Sequence, residues 1–312
     1  MIKATHLTKR YGSFTAVDDI SFTVGEGEIV GFLGPNGAGK STTMNMLTGY
    51  VSATAGDIEI DGHDLLTDTA AAKKSIGYLP ELPPVYPEMT VGEYLDFVYE
   101  LKGCTLPRKQ HLADVCEVTK TGDSLKRIIK NLSKGYRQRI GIAQALIGDP
   151  KTIILDEPTI GLDPRQIIEM RNLIRILGRD HAVILSTHIL GEVQSVCDRL
   201  LIINRGRLVA DEKTEVITTR LSGRLRVRAT IAAPEKQLLS AVRAINGGLR
   251  ADPVAGGEPG AVTLLIESEP GVDIRRPLFR VCAESGWPIL ALEQPGADLE
   301  NVFISLTAKD PR

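Results

Sequence analysis

Long apolar runs are missing from this chain. The longest stretches, such as Ile29 to Leu33 and Ile153 to Leu155, are strand-sized, far short of the roughly 18 apolar residues that a membrane-spanning helix needs. No bilayer span is expected. Paired cysteines are missing as well. Cys104, Cys116, Cys197 and Cys282 are dispersed without a Cys-x-x-Cys spacing, so neither a zinc site nor a disulfide framework is indicated, and reduced, partly buried thiols are expected. Charge of one sign is not in excess either. The 37 Lys plus Arg face 39 Asp plus Glu, a formal net charge of −2, with near balance on both sides of residue 204. The basic footprint of a nucleic-acid binder is therefore absent. No basic segment followed by an apolar one opens the chain, so a secretory signal is not expected and the expected compartment is the cytoplasm. What is present is ordinary globular composition, 43% hydrophobic and 24% charged over 312 residues, a length that suggests about two domains.

The first two thirds alternates short strands with helices. Glu28 to Leu33, Asp57 to Ile60, Ile76 to Leu79, Lys151 to Asp156, Ala182 to Ser186 and Arg199 to Asn204 carry strand patterns. Ser41 to Leu47 begins a helix. From Thr90 to about Lys120 the recurrence of Val91, Tyr94, Leu95 and Val98 at intervals of three and four is helical. Alternation of this kind predicts a mainly parallel sheet covered on both faces, interrupted by a helical insertion at about 88–147. After about Leu221 the pattern restarts: strand Arg224 to Ile231, helix Glu235 to Ile245, strand Val262 to Ile266, helix Val272 to Ser285 and strand Pro288 to Leu292, a small βαβαβ set. The Gly- and Pro-rich Pro253 to Gly260 predicts a loop, and Leu299 to Leu306 a last helix. Residues 221–312 are accordingly expected to form an accessory α/β domain beside a domain of 1–220. Arg224, Arg226 and Arg228, alternating with Leu225, Val227 and Ala229, predict a strand with one polar face.

Two segments carry chemistry. Residues 34–41 read Gly-Pro-Asn-Gly-Ala-Gly-Lys-Ser, the G-x-x-x-x-G-K-[ST] pattern between a strand and a helix. Glycines let such a loop turn its N–H groups toward phosphate, and the helix start aims its positive end at the same anion. The expected phosphate-binding set is Asn36, Gly37, Ala38, Gly39, Lys40, Ser41 and Thr42, with Lys40 on the β and γ phosphates and Ser41 on Mg²⁺. Residues 151–158 read Lys-Thr-Ile-Ile-Leu-Asp-Glu-Pro, a buried strand delivering two carboxylates at its carboxyl end. Asp156 then serves Mg²⁺, while Glu157, expected on the other face of the pleat, accepts a proton from water.

In combination with further segments, these motifs resemble the ATP-binding subunit of an ABC transporter over residues 1 to roughly 220. Residues 132–139, Leu-Ser-Lys-Gly-Tyr-Arg-Gln-Arg, resemble the family's signature segment. Gly161, Leu162 and Asp163 resemble its D-loop, Ser186, Thr187 and His188 its switch-histidine segment, and Tyr11 the aromatic that stacks on adenine. The resemblance implies an α/β fold, a P-loop NTPase ABC ATPase core with a helical insertion. It implies ATP hydrolysis with Mg²⁺, catalytic roles for Lys40, Glu157 and His188, and a head-to-tail homodimer. Each ATP would lie between the P-loop of one copy and Ser133 and Gly135 of the other. Tyr11 as a packing aromatic and His188 as a structural residue remain alternatives at this point.

Two positions depart from the family pattern. Glu81 stands where glutamine is usual, and is expected near Mg²⁺. Lys134 stands where glycine is commoner, opposing the helix macrodipole by up to about 1 kcal/mol, unless an incoming phosphate offsets it or it is simply exposed. Tyr78 to Leu101, with its 83–90 segment Pro-Pro-Val-Tyr-Pro-Glu-Met-Thr, together with Leu132 to Tyr136 and the closing Asp298 to Thr307, is similar to ATPases of ABC-2-type exporters, of the gliding-motility and copper-enzyme maturation kind. Large apolar residues and prolines that stiffen an extended loop, leading from Glu81 into the insertion, make Val85, Tyr86, Pro87, Glu88 and Met89 the expected docking surface for a separate transmembrane permease at the inner face of the cell membrane. The competing expectation for this loop is that Tyr86 and Met89 pack back on their own insertion. A soluble ABC ATPase acting on ribosomes or DNA is the alternative function. Such proteins typically carry two cassettes, basic linkers or zinc-binding cysteines, and this chain has one cassette and none of the rest.

Overall fold

The structure, a computed structural model, describes residues 1–216, 226–245, 248–254, 260–269 and 272–293. The chain divides into two units, Met1–Thr214 and Glu215–Arg312. At the centre of the first lies β3 (Ile29–Leu33), all five residues buried, flanked by β8 (Ala182–Thr187), in which all six are buried. A continuous apolar run, rather than alternation, is what a strand covered on both faces requires. The sheet runs β10-β9-β3-β8-β7-β6, with β6 (Ile76–Leu79), β7 (Thr152–Asp156), β8, β3 and β9 (Arg199–Asn204) parallel. β10 (Arg207–Lys213) closes the edge antiparallel to β9. Arg205 and Gly206 between them both have positive φ, 47° and 82°, the turn whose twist matches a two-residue hairpin.

A second, antiparallel sheet of order β2-β1-β4-β5 was not anticipated at its amino-terminal end. Its strands are β1 (Ile2–Tyr11), β2 (Phe14–Val24), β4 (Ala55–Ile60) and β5 (His63–Asp64). Irregularities in the β1–β2 pairing displace the alternation. His6 and Asp19 both take positive φ, 49° and 53°, and bond each other through His6 Nδ1 and Asp19 Oδ1 at 2.7 Å. Burial therefore shifts phase, from Ile2 and Ala4 to Leu7, and the bulge conceals the strand period.

Helices α1 (Lys40–Leu47) and α2 (Thr69–Lys74) precede the insertion, which contains α3 (Val91–Leu101), α4 (Arg108–Thr119) and α5 (Lys134–Leu146). Thr90 and Glu93 form a reciprocal capping box at the start of α3. Lys102, just past its end, donates from Nζ to the carbonyls of Gln144, Ala145 and Ile147 at 2.8, 3.0 and 2.8 Å. One ammonium thus satisfies carbonyls that the end of α5 leaves unpaired. α6 (Pro164–Leu177) and α7 (Leu190–Val196) complete the unit.

The second unit corrects the βαβαβ expectation. It contains β11 (Arg226–Ile231), α8 (Glu235–Arg243), β12 (Gly248–Pro253), β13 (Val262–Ser268), α9 (Arg275–Glu284) and β14 (Ile289–Glu293). The strand order is β12-β13-β11-β14, every pairing antiparallel, the split βαβ arrangement. Val227, Ala229, Ile231, Leu264 and Ile266 share a core with Leu238 and Val242 of α8 and Leu278 and Cys282 of α9. Arg228 is exposed, as a strand with one polar face requires. β12 is the missed strand, and α9 begins at Arg275 rather than Val272. Arg224, the helix expected at Leu299 to Leu306 and the Asp298 to Thr307 tail lie outside the described residues. Among the described residues no helix is long and apolar enough to cross a membrane.

Candidate nucleotide site

Parallel strands all finish on one edge, and here β3, β6, β7 and β8 each deliver a loop to the same edge. A cleft of about 530 Å³ opens there, lined by Phe14, Ala16, Asn36, Gly37, Gly39, Lys40, Ser41, Thr42, Glu81, Glu157, Ile160 and His188. The loop between β3 and α1 is shaped by Gly37 and Gly39, at φ 78° and 111°. A Cβ on Gly39 would sit 2.6 Å from the Ala16 carbonyl, so only glycine fits that approach. Lys40 Nζ donates to the carbonyls of Gly34 and Pro35 at 2.7 and 3.3 Å, and lies 4.0 Å from Glu157 Oε1. Burial lowers the Lys40 pKa, opposed by the charges of Glu157, Asp156 and Glu81.

Asp156 ends β7, buried, and accepts a hydrogen bond from the Ser186 hydroxyl. Burial raises its pKa; the Ser186 bond opposes this, Glu81 adds to the rise, and Lys40 and Ser41 pull the other way. Glu157 does not sit on the opposite pleat face as expected. The strand stops before it, and Glu157 takes φ 50°, a left-handed conformation that a side chain adopts only when its surroundings fix it. Its N–H donates to the Ser186 carbonyl at 3.0 Å, and its Oε1 lies 2.9 Å from His188 Nδ1. A carboxylate, an imidazole and an ammonium thereby converge.

The cleft gathers nine of the expected residues: Asn36, Gly37, Gly39, Lys40, Ser41, Thr42, Glu81, Glu157 and His188. Asp156 immediately precedes Glu157, and its charge acts on Lys40. Ala38 does not line it; its N–H donates to Pro35 and its side chain is buried. Tyr11 is half exposed at the end of β1, with Lys9 Nζ 5.1 Å above its ring, and also lies outside the lining. Phe14, its cross-strand partner, is the aromatic in the cleft. Sequence reasoning missed it because the motif drew the eye to Tyr11. Ser133 and Gly135 lie outside the cleft at the start of α5, where Ser133 Oγ accepts from Tyr136 N at 3.3 Å. Gln138 of α5 donates to the Glu81 carbonyl at 3.4 Å, tying the signature helix to the cleft loop. Oxygen donors of the kind at Ser41, Asp156 and Glu81 fit a hard divalent cation such as Mg²⁺.

A parallel sheet with a glycine-shaped loop and a carboxylate pair at one edge defines a P-loop nucleotide-binding ATPase. The family model described as ABC transporter matches residues 17–160. The chain is 32% identical over its whole length and the whole of the "Linearmycin resistance ATP-binding protein LnrL" of Bacillus subtilis. It is 39% identical to the "Bacitracin transport ATP-binding protein BcrA" of Bacillus licheniformis over 68% of this chain and 69% of that one. The "Dimeric Structure of MJ0796, a Bacterial ABC Transporter Cassette" superposes with a TM-score of 0.62 at 26% identity, covering 69% of this chain and 99% of that one. The chain belongs to the ATP-binding subunits of ABC transporters, and it binds and hydrolyses ATP.

Proposed function

We propose that this chain is the motor of an ABC-2-type exporter, working as a homodimer on a separate membrane permease at the inner face of the cell membrane. The observation that carries the catalytic half is the buried Glu157 carboxylate, held 2.9 Å from His188 Nδ1 and 4.0 Å from Lys40 Nζ in one cleft. Lys40 and the backbone of Asn36, Gly37 and Gly39 bind the phosphates, with Thr42 beside them. Phe14 would meet the base in this reading, with Tyr11 paired to it across the hairpin. Ser41, Asp156 and Glu81 would hold Mg²⁺, which supplies neutralisation of phosphate charge. Glu157 takes the proton of the attacking water, and His188 fixes the carboxylate's direction.

In a head-to-tail pair, Ser133 and Gly135 of one copy close over the ATP of the other, so ATP joins the copies and hydrolysis parts them. Residues 1–220 form the ATPase domain in this reading, and 221–312 an accessory domain. The names of LnrL and BcrA, resistance and transport, favour an exporter. Tyr86 packs edge-on against Tyr94 and Phe97 at ring distances of 6.3 and 5.4 Å, and is still 54% exposed. It therefore packs back on the insertion and also offers an apolar face beside Phe97, itself exposed. Val85→Asp with Tyr86→Asp should release the chain from membranes and from co-purifying membrane proteins while ATP binding persists. Retention on membranes by these folded variants contradicts the docking surface.

A further inference from the structure

We propose that Glu192 is a positioning residue for hydrolysis, fastening the loop that carries Glu157 to the loop that carries His188. This rests on the reading that those two residues act on the attacking water. Glu192 lies in α7 and is 2% exposed. Its Oε2 accepts from Thr159 Oγ1 at 2.6 Å and from Thr187 Oγ1 at 3.1 Å. Both threonines are buried. Thr159 lies two residues after Glu157, and Thr187 immediately precedes His188.

The arrangement is costly unless it serves those loops. A carboxylate removed from water is unfavourable when it lacks a cation, and among the described residues no cation pairs with Glu192 within 4.0 Å. Its acceptor oxygen is used instead to draw two hydroxyls from different loops to one point. Thr187 Oγ1 also accepts from the Ile189 N–H at 3.1 Å, fixing the turn that presents His188. On the other loop, Glu157 holds φ 50°, a conformation that persists only when neighbours over-determine it. Other contacts already cross between these segments, the Glu157–His188 bond, the bond from Glu157 N to the Ser186 carbonyl and the bond from the Ser186 hydroxyl to Asp156. The Glu192 bridge adds to them, and none of its three residues lines the cleft.

The test uses the full chain and steady-state ATP hydrolysis, comparing Glu192→Ala, Glu192→Gln and Thr159→Val with Glu157→Gln in parallel. Loss of positioning without loss of phosphate contacts should lower kcat by about 10-fold or more in Glu192→Ala and leave KM for ATP within about 2-fold. Glu192→Gln, whose amide oxygen can accept both hydroxyls, should recover kcat to within about 3-fold. Thr159→Val should lower kcat, and should add nothing in a Glu192→Ala background. A folded Glu192→Ala variant with wild-type kcat overturns the proposal. Where that variant does not fold, wild-type kcat in Thr159→Val overturns it. Turnover by Glu157→Gln removes the underlying catalytic reading, whereas an inactive Glu157→Gln beside a fully active Glu192→Ala removes the proposal alone.

Discussion

The two units of this chain are both α/β, yet they send their strand ends to different places. In Met1–Thr214 the strands β3, β6, β7 and β8 run parallel, so Gly34, Glu81, Asp156 and His188 arrive on one edge by topology alone. In the second unit every pairing among the described strands is antiparallel. Neighbouring strands of that sheet therefore end at opposite edges, β11 and β12 at one and β13 and β14 at the other. The core of the second unit is built from Val227, Ala229, Ile231, Leu264 and Ile266 with Leu238, Val242, Leu278 and Cys282. In the first unit it is strand direction that brings the glycine loop and the carboxylates to one edge.

The sharpest way to break this comparison is at the edge itself. Glu157→Gln should slow phosphate release by about 10²- to 10⁴-fold, the worth of a positioned base, with ATP binding retained in an equilibrium titration. Next in size is a charge placed in the other unit. Val227 is fully buried, so Val227→Asp should destabilise the second unit by on the order of 3 kcal/mol or more. Calorimetry should show that loss while ATP affinity stays within about 2-fold, because no residue of the second unit lines the described cleft. An equal loss of ATP affinity would show that the division of labour is wrong.

A smaller effect concerns Lys102. Lys102→Met strips three carbonyls at the end of α5 of their donor and should cost about 1 to 3 kcal/mol at neutral pH. Burial pushes the Lys102 ammonium down to about 8 from 10.5. Between those values the unfolded chain binds more protons, so the burial penalty on the ammonium is relieved and stability rises as pH climbs through this window, while below about 8 the penalty is full and level. Denaturant melts from pH 7 to 10.5 should show this rise in wild type and its absence in the methionine variant. The smallest effect is expected at Glu81, where Glu81→Gln keeps an oxygen donor and should leave turnover within about 3-fold. A complete loss in a steady-state assay would show that the charge itself is required.

Much of the site was legible because its residues are consecutive. Residues 34–41 and 151–158 declare both their strands and their chemistry in eight letters each. Hidden features were those made by distant partners or by backbone irregularity. The first hairpin was concealed by the paired bulge at His6 and Asp19, which breaks the alternation that marks a strand. β12 was concealed by Gly248, Asp252 and Pro253, residues that depress strand propensity. Glu157's departure from the pleat left no trace in its letters, since a left-handed φ is not written in a glutamate. Glu192 makes sense only once Thr159, 33 residues earlier, is brought to it.

Ser133 and Gly135 remain apart from the cleft within one copy, and the account gives them a role only across two. The most direct test is the mass of Glu157→Gln in solution by sedimentation equilibrium, with ATP and Mg²⁺ and again with ADP and Mg²⁺. The account predicts two chains per particle with ATP and one with ADP, and a single chain in ATP when Ser133→Arg is added. A variant that stays monomeric with ATP bound at saturation, or that dimerises equally in ADP, would contradict it.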